Sequence, residues 1–134
     1  MSLVRQAKGY SPMSDEELMA FDIYRGACTA SRLMCLNLVN HIEHRHGLRP
    51  FATASGYLQW NPNFALIQTL GVRTPILTIN LSGRQERYHG LGIDDLVRKP
   101  WKGLTRMRIS DPARIHQLLA AVDRSYEMKS DQRG

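Results

Sequence analysis

Arg84, Arg87, Arg98, Lys99, Lys102, Arg106 and Arg108 lie within residues 84–110, against Glu86, Asp94 and Asp95. Guanidinium and ammonium groups at this density match phosphate oxygens, and a basic stretch of this kind is the electrostatic footprint of nucleic-acid contact. If residues 104–109 form a strand, Arg106 and Arg108 share a face about 6.6 Å apart, because side chains alternate and each residue rises about 3.3 Å. That separation suits two successive phosphates. Tyr88 and Trp101 supply aromatic rings on which bases stack. The competing reading has Trp101 filling the core while the arginines solvate a wet strand or pair with Asp94 and Asp95.

Three other groupings carry less. His41, His44 and His46 with Glu43 have the residue types of a metal cluster, but a two-histidine zinc helix needs its histidines four apart with the glutamate next to the first. Imidazoles in a last helical turn instead satisfy free carbonyls and oppose the helix dipole, so no metal is expected. Cys28 and Cys35 are seven apart on one helical pattern, roughly 10 Å along the axis, which excludes a disulfide between them. They flank Arg32, and Arg25 lies three before Cys28, an arrangement that would activate a thiol, whereas a cysteine on an apolar stripe is ordinarily inert packing. Gly90-Leu91-Gly92 before Asp94 and Asp95 lacks the third glycine of a dinucleotide loop, and the two acids would repel a phosphate. No nucleophile elbow of the Gly-x-Ser-x-Gly kind occurs. No catalytic residue and no cofactor is therefore expected, and a small enzyme using a pocket near Tyr88 and His89 ranks last.

The elements that must position these residues follow from pattern. Ser14 with Glu17 three residues on is a capping box, and apolar positions continue at helical spacing through Phe21, Tyr24, Cys28, Cys35, Leu38 and Ile42. Gly47 is suited to a left-handed cap and Pro50 blocks resumption. Unbroken from 14 to 46, this helix would be about 50 Å long, while the radius of gyration of such a domain is about 14 Å. Either the chain breaks near Gly26, or the helix projects and buries its face in a homodimer, which is the expectation here. Residues 52–60, 64–70 and 75–81 read as a three-stranded meander turned at Asn61-Pro62-Asn63 and Gly71-Val72-Arg73. Leu77, Ile79 and Leu81 alternate with Thr78 and Asn80, which predicts one buried and one wet sheet face. Residues 82–103 form a long connection with a short helical pattern at 93–99. A fourth strand follows at 104–109, and Asp111-Pro112 opens a last helix carrying Ile115, Leu118, Leu119, Val122 and Tyr126 on one face.

The chain has 134 residues, 43% of them hydrophobic, with 18 Lys+Arg against 12 Asp+Glu and a net charge of +6, so one core-forming domain with a basic surface is expected. No apolar run approaches the roughly 20 residues of a membrane span, and free thiols suit a reducing cytoplasmic setting. The expected architecture is thus a single α+β domain over 1–134, with an arm at 1–13 and a polar tail at 129–134. An antiparallel four-stranded sheet carries the N- and C-terminal helices packed on one face.

Trp101, the strand Thr105-Arg106-Met107-Arg108-Ile109, and Ser125-Tyr126-Glu127 after Leu118-Leu119-Ala120-Ala121-Val122 occur in an order that resembles the MmcQ/YjbR-like family or its neighbours among small α+β domains, over about half the chain, residues 56–127. The long N-terminal helix and Gly90-Leu91-Gly92 depart from that pattern. The resemblance implies a small α+β domain that contacts DNA through a sheet-and-loop surface, and it transfers no catalytic residues. The reading is a non-enzymatic binding module that contacts nucleic acid. The alternative is a homodimeric interaction or regulatory domain working through the long helix.

Overall fold

A computed structural model of the chain describes residues 13–101 and 103–133. Its order is α1 (Asp15–Leu18), α2 (Asp22–Arg25), α3 (Thr29–His46), β1 (Phe51–Ala52), β2 (Leu58–Gln59), β3 (Ala65–Leu70), β4 (Leu77–Leu81), β5 (Val97–Trp101), β6 (Leu104–Ile109) and α4 (Ile115–Arg133). The strands form one antiparallel sheet in the order β1-β2-β3-β4-β6-β5. This is α+β, as expected, with α3 and α4 both packed on β3 and β4 and against each other.

The N-terminal helical pattern breaks twice. The capping box forms as read, with the Ser14 hydroxyl accepting from the Glu17 amide and the Glu17 carboxylate accepting from the Ser14 amide. Phe21 and Cys28 are extended, and tertiary bonds satisfy the groups freed there. The Tyr24 hydroxyl donates to Asp15, folding α2 back on α1, and the Cys28 amide donates to the Gly71 carbonyl in the β3–β4 turn. Of the two alternatives for this segment the chain takes the break at Gly26, and the helix length no longer calls for a second subunit. What remains, α3, buries Met34, Cys35, Leu38, Val39 and Ile42 along one stripe. It stops at Gly47, left-handed at φ 69°, whose amide donates to the Glu43 carbonyl.

The sheet has six strands where four are expected. Residues 52–60 divide into β1 and β2 around a turn in which Gly56, at φ 88°, supplies a left-handed residue and its amide donates to the Thr53 carbonyl. The segment 93–99 is helical only over Asp94–Leu96, and Val97 begins a strand. Pro100 is tolerated in β5 because that strand is an edge, where one side of the backbone has no ladder to complete. At the C-terminus the tail expected at 129–134 is instead helical through Arg133. At the other end Met13, assigned to the arm, is buried in the core; residues 1–12 lie outside the described residues.

Ile67, Leu77, Ile79, Leu81, Met107 and Ile109 form the helix-covered side of the sheet, joined by Leu18, Tyr24, Trp60, Phe64, Leu118 and Val122. Burying each large apolar side chain contributes about 1.5–3 kcal/mol. Polar bonds fix the layers in register. Ser125 on α4, fully buried, donates to the Phe64 carbonyl and accepts the Ser82 amide at 2.9 Å, so one hydroxyl ties the helix to both sides of the β3–β4 pair. Ser31 on α3 similarly accepts the Ile76 amide at 3.1 Å and donates to the Thr74 carbonyl. The turn between β3 and β4 requires glycine at 71, where a Cβ would stand 2.0 Å from the Thr74 carbonyl oxygen.

Candidate nucleic-acid interface

The register of the central strands sorts the basic residues. Thr78 pairs with Arg108, Asn80 with Arg106, and Arg98 with Arg106. Side chains of antiparallel partners stand on the same face, so Arg98, Arg106 and Arg108 rise together from the side away from the helices. The third strand contributes through a bulge. Ile67 opposes Ile79 and Thr69 opposes Thr78, leaving Gln68 as the extra residue, and such an insertion re-aims side chains locally. Gln68, Thr69, Thr78, Arg98, Arg106 and Arg108 line a hollow of about 340 Å³ on this open face.

The expectation of a wet face holds only at its rim. Arg98 and Arg108 are exposed and Arg106 half-buried, but Thr78 and Asn80 beneath them are only 5% and 6% exposed. Long arginine stems cover what no helix covers. Arg106 is held in place by its Nε, which donates to Asn80 Oδ1 at 2.9 Å. Two polar atoms of its lining residues, the Thr78 hydroxyl and Gln68 Oε1, are buried without a hydrogen-bond partner among the described residues. An unmade bond at such a group costs about 1–3 kcal/mol.

The alternative in which Asp94 and Asp95 neutralise the arginines is not what the side chains do. Arg114 holds Asp95 through Nη1 at 2.9 Å and Nη2 at 3.0 Å, and these bonds draw the Asp95 carboxyl below the usual carboxylate range and push Arg114 up. Asp94 accepts from Gln85. Arg98 donates to the Asp95 and Val97 carbonyls, not to a carboxylate. Among the described residues, Arg98, Arg106 and Arg108 make no ion pair.

The other residues singled out are not brought to this hollow. Arg84 lines a second hollow of about 380 Å³ with Gln85, Glu86, Val97, Gly103, Leu104 and Thr105. Arg87 is exposed beyond the sheet end, its carbonyl accepting from Arg124. Tyr88 corrects the stacking assignment: it is 1% exposed, its hydroxyl donates to the Ser82 carbonyl, and burial pushes its pKa up to about 12. Its ring belongs to the core. The side chains of Lys99 and Trp101, and Lys102 entirely, lie outside the described residues. His89 lines a shallow hollow with Gln85, Glu86 and Asp94. Gln68 and Thr78 were missed because neither type nor spacing marks them; only the bulge and the register bring them together.

The histidines and cysteines resolve differently from their sequence readings. His41 and His46 do not cap carbonyls. Their Nε2 atoms meet the Asp123 carboxylate of α4 at 3.0 and 2.9 Å, and His46 stacks on Tyr126 at 3.9 Å between ring centres. The pair thus joins α3 to α4, and no group of three or more His, Cys, Asp or Glu among the described residues is arranged to hold a metal ion. Cys35 is fully buried, which raises its pKa to about 12. Cys28, at the start of α3, is lowered chiefly by the Ser31 hydroxyl at 3.3 Å and then by backbone amides, not by Arg25 or Arg32. No helix among the described residues is long and apolar enough to cross a membrane.

Comparison with protein-family models, curated proteins and solved structures finds no match to this chain.

Proposed function

We propose that this chain is a non-enzymatic nucleic-acid-binding module whose contact surface is the open face of the sheet. The observation that carries it is the alignment of Arg98, Arg106 and Arg108 across β5 and β6 with no acidic partner among the described residues. Cations without an acidic partner among the described residues make a surface that gains by releasing counterions from a phosphate backbone. Arg84 and Arg87, away from this hollow, extend the positive field without sharing the contact. The resemblance of residues 56–127 to the MmcQ/YjbR-like family points to the same sheet-and-loop surface and belongs to the same proposal.

Fluorescence anisotropy with labelled single- and double-stranded DNA and RNA across a salt series tests this, with light scattering on the same sample. The expected result is micromolar binding that weakens steeply with salt and is lost on charge reversal at Arg106 and Arg108. Retention of binding in that double variant, or no binding at low salt, overturns it. In the latter case a stable dimer by light scattering moves the working surface to the helices.

A further inference from the structure

The arginines on the open face converge on one hollow, whereas a surface that only tracks a nucleic-acid backbone spreads its cations along a path. Arg98 stands beside Arg106 across the β5–β6 pair, and Arg108 is two residues along β6, about 6.6 Å away. All three border the same space of about 340 Å³, at the small end of ligand pockets. Among its lining residues is Thr78, 5% exposed, with a hydroxyl that has no hydrogen-bond partner among the described residues.

The donor count identifies the ligand. An internal phosphodiester carries one negative charge and offers two free oxygens. A phosphate monoester carries about −1.5 to −2 at neutral pH and offers three acceptor oxygens. Three guanidinium groups and one hydroxyl, even with Arg98 Nη1 engaged by the Asp95 and Val97 carbonyls, exceed what a diester can use and match a monoester. Arg106, with Nε tied to Asn80, keeps its two terminal nitrogens for the bidentate geometry that favours arginine at phosphates. Gln68 Oε1, also without a partner, is an acceptor beside the anion, suited to a sugar hydroxyl or a base N–H on the same ligand.

Resting on the nucleic-acid reading above, we infer that the hollow over Thr78 is a phosphate-monoester subsite, gripped by Arg98, Arg106 and Arg108 and by the Thr78 hydroxyl. On that reading its occupant is the phosphorylated end of a strand; a free phosphorylated small molecule presents the same group.

The experiment compares the intact chain with its Thr78→Val variant. The probes are one short single-stranded oligonucleotide with a 5′-phosphate, a 3′-phosphate or hydroxyl ends, and AMP by calorimetry. Valine keeps the shape and the strand preference and removes a buried hydroxyl that has no partner, so thermal unfolding should be unchanged or slightly raised, which separates a binding effect from a folding one. A terminal phosphate should tighten binding about tenfold, the value of a hydrogen bond to a charged group, and Thr78→Val should erase most of that preference while Thr78→Ser retains it. Equal affinity for all ends, unaffected by Thr78→Val but abolished by charge reversal at Arg106 and Arg108, sinks the subsite and leaves the nucleic-acid reading standing. AMP binding that depends on Thr78, with no oligonucleotide binding, keeps the subsite and removes the nucleic-acid reading. Absence of binding by every probe removes both.

Discussion

The two faces of the β4 strand are both buried, and by opposite means. Leu77, Ile79 and Leu81 are sealed beneath α3 and α4 by apolar packing, whereas Thr78 and Asn80, among the described residues, lie under the arginines of the neighbouring strands and beside the Gln68 bulge. The first kind of burial removes apolar surface from water and has no further use for a partner. The second leaves charged ends at the rim and, beneath them, two polar atoms without a partner among the described residues, the arrangement on which the proposed phosphate subsite rests. Burial alone therefore does not distinguish core from site in this molecule; what covers each face does, helices on one side and charged arginine side chains on the other.

The sharpest way to break that comparison is to truncate one residue on each face. Ile79→Ala should cost about 2–5 kcal/mol of stability, as isoleucine-sized deletions from packed interiors do. The affinity of the protein that remains folded for oligonucleotides should not change. Arg108→Ala, an exposed position, should alter stability by no more than about 0.5 kcal/mol and weaken binding with a shallower salt slope. Chemical denaturation and anisotropy on the same two variants check both. Equal destabilisation by the two substitutions would mean that the open face is structural after all.

Ser125 stands at the seam of the covered face and tests how far its seal depends on polar bonds. Ser125→Ala leaves the Ser82 amide and the Phe64 carbonyl without their partner in a buried setting, so a loss of about 1–3 kcal/mol is expected. Oligonucleotide affinity should again be unmoved, since the hydroxyl lies on the helix side. A loss below about 0.5 kcal/mol in denaturant unfolding would show that water reaches this seam and that the covered face is less dry than its packing implies.

Much of this contrast was legible before the fold was known, because β4 alternates apolar and polar residues and because Arg106 and Arg108 have strand spacing. The capping box at Ser14, the cap at Gly47 and the stripe on α3 were equally local signals, and all of them appear. What stayed hidden depended on contacts far apart in sequence. The break at Cys28 is stabilised by Gly71, β5 exists because it pairs with β6, and His41 and His46 turn to Asp123 rather than to their own helix end. Tyr88 looked available for stacking because a loop tyrosine gives no periodic sign of burial. The hollow itself needed the one-residue bulge at Gln68, which no spacing rule anticipates.

The smallest effect concerns an acid that feels Arg98, and it tests whether the open face acts as an electrostatic site. Asp95 is engaged by Arg114 and feels Arg98 as a weaker neighbour. Its carboxyl is held below the usual range, so it contributes stability above the unfolded value of about 3.9 and loses it as pH falls through the lower folded value. Asp95→Asn should therefore lower the melting temperature slightly at neutral pH, with the difference from the native chain closing below about pH 4. Asp95 is exposed and Arg114 half-buried, and solvent screening of the pair keeps the loss small. The same substitution removes the negative charge beside Arg98 and frees Arg114, so phosphate-bearing ligands should bind a few-fold more tightly at low salt, the gain disappearing as salt screens it. A less stable protein that binds more tightly is the signature of a carboxylate that serves the fold and opposes the site. Anisotropy titrations of the variant at low and high salt decide it: weaker binding would show that the Asp95–Arg114 pair holds the 94–96 turn whose backbone carbonyl at 95 accepts from Arg98, and that the arginine cluster depends on that turn for its geometry.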